Sequence, residues 1–86
     1  VVEGPERGAT VELGVDPVVV GSSAEAQLRL TDPRVSRRHL ELKAGSHAVL
    51  ITDLSSRNGT WFEGSRMREI ALPPGALLRV GDSWLT

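Results

Sequence analysis

The sequence predicts an all-β chain folded as a small antiparallel sandwich or barrel. Short β-favouring runs recur between turn signals, nine glycines and five prolines punctuate them, and no window of about a dozen residues carries an apolar stripe at helical spacing. Along Leu40-Glu41-Leu42-Lys43 and Leu77-Leu78-Arg79-Val80 the apolar residues mostly take every second place, the pattern of a strand with one buried face.

Taken in order, the first candidate strand is Thr10–Leu13, followed by Pro17–Val20, a valine run that Gly21 ends. Residues 23 to 27 (Ser-Ala-Glu-Ala-Gln) suit a helical turn, but so short a segment cannot hold a helix alone and is read as loop. Leu28–Leu30 comes next, then a turn at Asp32-Pro33 and the alternating His39–Lys43. Ala48–Asp53 and Thr60–Phe62 flank Asn58-Gly59, a hairpin signal because both residues tolerate positive φ. On Thr60–Phe62 the alternation assigns Trp61 to the core. Arg66–Ile70, Ala76–Val80 and Ser83–Thr86 complete the series.

With 86 residues the chain reads as one domain, residues 1–86, near the size where a single core only just stabilises a fold. It starts on a strand-like Val1-Val2 and stops at Trp84-Leu85-Thr86 without a polar tail, as a domain trimmed from a longer protein would. Ten Lys and Arg against eleven Asp and Glu leave a net charge of −1, so no global field draws the chain to nucleic acid or membrane. Electrostatic binding must come from a local cluster. The absence of cysteine removes disulfides and thiolate metal sites and fits a reducing, cytoplasmic compartment. Apolar runs stay far below the ~18 residues of a membrane span, and no signal-peptide pattern is present.

The cluster lies in residues 32 to 42, DPRVSRRHLEL. Arg34, Ser36, Arg37 and Arg38 follow a turn and precede a strand, and loop amides, a hydroxyl and guanidinium groups together suit an oxyanion. A solvated basic loop is the plainer alternative. His39 reads as a structural residue that holds the loop by a hydrogen bond. A Ser36–His39 nucleophile pair is disfavoured, since three residues of extended chain span about 10 Å and no third orienting residue is evident. His39 and His47 lack metal-ligand spacing, so the sequence predicts no metal, no cofactor and no enzyme. In residues 53 to 64, DLSSRNGTWFEG, the Asn58 amide could grip a peptide backbone from a loop tip. Gly21-Ser22-Ser23 lacks the lysine of a nucleotide-binding loop and by itself marks only a strand end.

In series these pieces say more. VVVGSSAEAQLRLTDPRVSRRHLEL, TDLSSRNGTWFEGSRM and LPPGALLRVGDSWL, in this order and spacing, resemble the forkhead-associated (FHA) domain across nearly the whole chain. The resemblance implies a β-sandwich of about ten to eleven short strands that binds phosphothreonine peptides through loops at one end. It implies Ser36 as hydroxyl ligand of the phosphate, Arg37 as cationic neighbour and Asn58 as clamp on the peptide main chain. It further makes His39 the residue shaping the loop from behind, with Gly21, Gly59 and Thr60 holding the loop geometry.

One position departs from the family. Where an arginine usually follows the glycine and contacts phosphate, this chain has Ser22. Phosphothreonine brings about −1.5 to −2 charges, and a lost charge-assisted contact forfeits ~1.5–3 kcal/mol. Arg57, at a place where the family often has threonine, is positioned to restore that charge from the opposite loop. The expected partner is a phosphothreonine-containing protein, with no membrane partner. Ser22 opens the alternative of a degenerate domain used for phospho-independent interaction or oligomerisation. Nucleic acid, through Arg34, Arg37, Arg38 and Arg57, ranks below both within this domain, although another domain of a full-length protein could supply it. The Gly21-Ser22 variant is similar to FHA domains at the start of bacterial activators that work with the alternative sigma factor. That likeness implies a regulatory input domain for signalling or transcription.

Overall fold

The computed structural model describes residue 1 and residues 3–86. Val2, half of the strand-like start, lies outside the described residues. Nine strands are formed among them: β1 (Val18–Gly21), β2 (Leu28–Arg29), β3 (Leu40–Ala44), β4 (Val49–Asp53), β5 (Thr60–Phe62), β6 (Ser65–Met67), β7 (Glu69–Leu72), β8 (Leu78–Val80) and β9 (Ser83–Leu85). They make a five-stranded sheet in the order β2-β1-β3-β4-β7 and a four-stranded sheet in the order β6-β5-β8-β9. The all-β sandwich is as the sequence predicts, with nine described strands rather than ten or eleven.

Alternation decides which side chains face inward. Val18 and Val20 of β1, Leu78 and Val80 of β8, and Ser83 and Leu85 of β9 are buried, while Arg79 and Trp84 between them point outward. Among the described residues ten aliphatic side chains form one core, eight of them from strands of both sheets, such as Val20, Leu40, Ile51, Leu72, Val80 and Leu85, with Leu30 and Val35 from the β2–β3 connection. Each such side chain contributes about 1.5–3 kcal/mol when fully buried. Trp61 is not in this core, contrary to the expectation for Thr60–Phe62: on β5 it is Thr60 that is wholly buried, so Trp61 takes the outer face.

Three further elements differ from the sequence reading. Thr10–Leu13 forms no strand, although Val11 packs partly buried against the core. Arg66–Ile70 is split between β6 and β7 because the chain changes sheet at Arg68, whose carbonyl accepts the Asp53 N–H at 2.7 Å. Asn58-Gly59 is no hairpin turn, since β4 pairs with β3 and β7 while β5 belongs to the other sheet. Tight two-residue hairpins instead join β8 to β9 through Gly81-Asp82 and β5 to β6, where Glu63 and Gly64 both take positive φ (50° and 79°) as a type I′ turn requires. One pair, β1 with β2, runs parallel.

Candidate functional site

The loops between β1 and β2, β2 and β3, and β4 and β5 meet at one end of the sandwich, together with the β8–β9 turn. Side-chain and backbone hydrogen bonds hold them together. Gly21 ends β1 where the backbone of the β2–β3 loop presses against it: a Cβ there would lie 2.0 Å from the Arg37 carbonyl oxygen and 3.0 Å from that of Ser36. The contact is closed by Ser22 N–H to Ser36 O at 3.0 Å and Ser23 N–H to Arg37 O at 3.1 Å. Only a residue without a side chain permits that approach.

His39 is wholly buried behind the same loop. The Ser36 N–H can only donate, so Nδ1 of His39 is the acceptor at 3.0 Å, and Nε2 must carry the proton it gives to the Gly59 carbonyl at 2.8 Å. The imidazole is therefore neutral, with both nitrogens engaged, and joins the Ser36 loop to the Gly59 loop. Burial pushes its pKa down, and the Gly59 carbonyl and Asp53 only partly offset this.

Ser36 is gripped from its other side. The Arg57 N–H donates to Ser36 Oγ at 3.0 Å, which leaves the hydroxyl its own proton to give. Asn58 Nδ2 donates to the Arg34 carbonyl at 2.8 Å, so its Oδ1 and second N–H remain open. Trp61 Nε1 donates to the Asn58 carbonyl at 2.8 Å. Gly59 adopts φ +85°, and an added Cβ would meet Arg66 Nε at 2.6 Å.

Two carboxylates that sequence reasoning missed organise these loops. Asp53 accepts from Ser56 N and Ser56 Oγ and, at 2.8 Å, from Thr60 Oγ1, while Ser56 Oγ in turn accepts Gly59 N at 3.0 Å. Asp32, wholly buried, accepts Arg34 N at 2.9 Å, Asp82 N at 2.7 Å and Ser83 Oγ at 3.0 Å, so it ties the β2–β3 loop to the β8–β9 turn. Burial alone would raise both pKa values, but the hydrogen bonds outweigh it and hold both carboxyls below the usual range. The signal was present in Asp-x-x-Ser at Asp53 and in the Asp-Pro-Arg turn at Asp32, since Asx side chains bond amides two or three residues on.

The cations are distributed around this frame. Arg34 pairs with Asp82 at 3.6 Å in an exposed contact, Arg29 donates through Nε to the Ser22 carbonyl at 3.1 Å, and Arg66 donates to the Ser56 carbonyl at 3.0 Å. Among the described residues, no intramolecular hydrogen bond or ion pair engages the guanidinium groups of Arg37, Arg38 or Arg57. The result is a rigid loop platform with a free hydroxyl proton, an open amide and unpaired guanidinium groups.

Comparison with known proteins accounts for this arrangement. Over 76 residues the chain is 38% identical to the FHA domain-containing protein FhaA of Mycobacterium tuberculosis, covering 88% of this chain. The crystal structure of the FhaA FHA domain, complexed with the intracellular domain of another protein, superposes with a TM-score of 0.82 at 38% identity, over 90% of this chain and 85% of that one. The chain belongs to the forkhead-associated family. A second FHA structure, from a study of phosphothreonine-dependent FHA domain interactions, gives a TM-score of 0.84 at 36% identity, over 93% of this chain and 83% of that one. Residues 1–86 also match the family model Yop-YscD_cpl, described as the cytoplasmic domain of an inner membrane component of T3SS, so this FHA chain falls within that family too. The chain spans 14% of the length of FhaA. No helix among the described residues is long and apolar enough to cross a membrane.

Proposed function

We propose that the loop end binds a phosphothreonine-bearing segment of a protein partner, and that the domain acts as a non-catalytic, regulatory input module in a cytoplasmic signalling or transcription-regulatory protein. The observation that carries this reading is Ser36. Its amide is held by His39 and its oxygen by the Arg57 N–H, so the one group it still offers is a hydroxyl proton at a fixed position, on loops where the guanidinium groups of Arg37, Arg38 and Arg57 are unpaired among the described residues. A dianion with three acceptor oxygens complements that set.

In this reading Ser36 donates to the phosphate, while Arg37 and Arg57 supply charge. Ser22 stands where the family arginine would be and offers a hydroxyl in its place. Asn58 grips the peptide main chain through Oδ1 and its second N–H, its first being committed to Arg34. Gly21, His39, Gly59 and Thr60 hold the geometry without touching the ligand. The FHA structures with a protein partner and with phosphothreonine-dependent interactions support the partner class.

Calorimetric titration of a degenerate phosphothreonine peptide library and its unphosphorylated twin tests the reading. Binding should require the phosphate and fall by about ten-fold or more in Ser36→Ala. Equal binding of both peptides would instead make the domain a phospho-independent interaction module.

A further inference from the structure

The chain has three aromatic residues, and none is in the buried aliphatic core. Trp61, Phe62 and Trp84 instead line one surface groove of about 490 Å³ on the four-stranded sheet, with Leu77, Arg79 and one acid, Glu63, from the β5–β6 turn. Strand register sets the order: Trp61 of β5 opposes Arg79 of β8, which opposes Trp84 of β9. The Arg79 guanidinium lies 5.4 Å from the Trp61 ring centroid, while Trp84 and Leu77 are 36% and 44% exposed. Exposed aromatic and apolar side chains gathered around one arginine are the residue types that dominate protein interfaces.

We propose that this groove is a second attachment point for the phosphorylated partner, taking an extended segment that carries a carboxylate among apolar side chains. The inference rests on the phosphopeptide reading above. Two observations select the occupant. Trp61 donates its indole N–H to the carbonyl of Asn58, so the groove is continuous with the loop that holds the peptide. Arg79 sits at the centre of the row, so a second copy docking face to face would set arginine against arginine near the symmetry axis, whereas an acidic residue complements it. Trp61 lies roughly 10 Å along the strand from Asn58 and Trp84 roughly 10 Å further across the sheet, so an extended peptide held at Asn58 reaches the row in roughly four to five residues.

The probes are a phosphothreonine peptide of about five residues and versions lengthened by about eight residues on either side, carrying Leu-Glu-Leu or Leu-Lys-Leu. One Glu-bearing long peptide should bind about five- to ten-fold more tightly than the short one. That gain should vanish in Arg79→Glu and in Trp84→Ala, and the Lys-bearing peptide should recover it in Arg79→Glu. The short peptide should bind all three proteins alike. Because Arg79 is exposed, Arg79→Glu tests the groove even if Trp84→Ala folds poorly. Short-peptide binding with no gain from either extension overturns the groove assignment alone, as does an Arg79→Glu loss shared equally by short and long peptides. Failure of every peptide, the short one included, overturns the phosphopeptide reading and the groove with it.

Discussion

Replacing Gly21 by alanine should loosen the whole loop end, although Gly21 itself offers nothing to a ligand. The new methyl would stand 2.0 Å from the Arg37 carbonyl oxygen and 2.7 Å from its carbon, where ordinary contact begins at 3.4 Å. The backbone must part by about 1.4 Å to relieve the clash. That movement breaks the bonds from Ser22 N and Ser23 N to the Ser36 and Arg37 carbonyls, now 3.0 and 3.1 Å. Two lost backbone bonds at about 0.5–1.5 kcal/mol each, with about 1–3 kcal/mol of overpacking, give about 2–6 kcal/mol. For a domain of this size that lowers Tm by about 10 °C or more. Thermal unfolding followed by circular dichroism measures it, and amide spectra should show Ser22, Ser23 and Ser36 displaced. Gly14→Ala is the control, because a Cβ there meets nothing within 4 Å. A Tm within about 3 °C of wild type, with those amides unmoved, would refute the close-approach argument.

The buried neutral His39 should make the domain acid-sensitive. Its folded pKa lies below the ordinary 6.5, so the unfolded chain takes up the proton first, and stability that is complete above pH 6.5 is lost as pH falls through and below it. Asp32 and Asp53 are depressed from 3.8 and add a second loss below that value, so denaturant melts from pH 8 to 3 should fall in two stages, the first absent in His39→Gln. Asp53→Ala removes the acceptor for Ser56 N, Ser56 Oγ and Thr60 Oγ1 and should cost about 2–4 kcal/mol in urea unfolding, with the Gly59 amide shifted. Arg57→Ala keeps the backbone bond to Ser36 but deletes the side-chain charge. Phosphopeptide affinity should drop by about ten-fold at low salt and much less at high salt, and an unchanged affinity would remove Arg57 from the phosphate site.

The strands were legible because burial imposes alternation: Leu78-Arg79-Val80 and Ser83-Trp84-Leu85 need only the period of the pleat. Which sheet a strand joins was not legible. Asn58-Gly59 has the composition of a hairpin, yet the loop crosses between sheets because Asp53 ties Ser56 and Thr60 into a folded connection, and that tie depends on side chains meeting in space. Arg66–Ile70 looked continuous for the same reason, since nothing local marks the switch at Arg68. At the site, Ser36, His39 and Asn58 stood out through motif spacing, whereas Asp32 bonds a turn fifty residues away, a distance no local pattern encodes. Trp61 was misassigned because alternation on so short a strand does not say which face points inward, and Thr60, small and polar, takes the inward place by bonding to Asp53.

The placement of charge explains how a chain of net −1 can present a cationic end. Among the described residues, the five buried polar ones, Asp32, His39, Ser56, Thr60 and Ser83, lie at the loop end, while the buried side chains of the core cluster are all aliphatic. Asp32 in that set and the half-buried Asp53 beside it work as internal acceptors: they bond amides and hydroxyls, not arginines, and so spend their charge on holding the loops. Among the described residues Arg34 is the one arginine paired with an acid, and that pair is exposed and weak. Arg37, Arg38 and Arg57 are consequently left to face solvent on a frame that does not need them for stability. A rigid frame built by buried carboxylates with its cations held in reserve separates folding from recognition. The Ser22 position is secured by its backbone N–H, so the side chain there is free to change without rebuilding the loop, and in the proposed reading Arg57 supplies the charge from the facing loop.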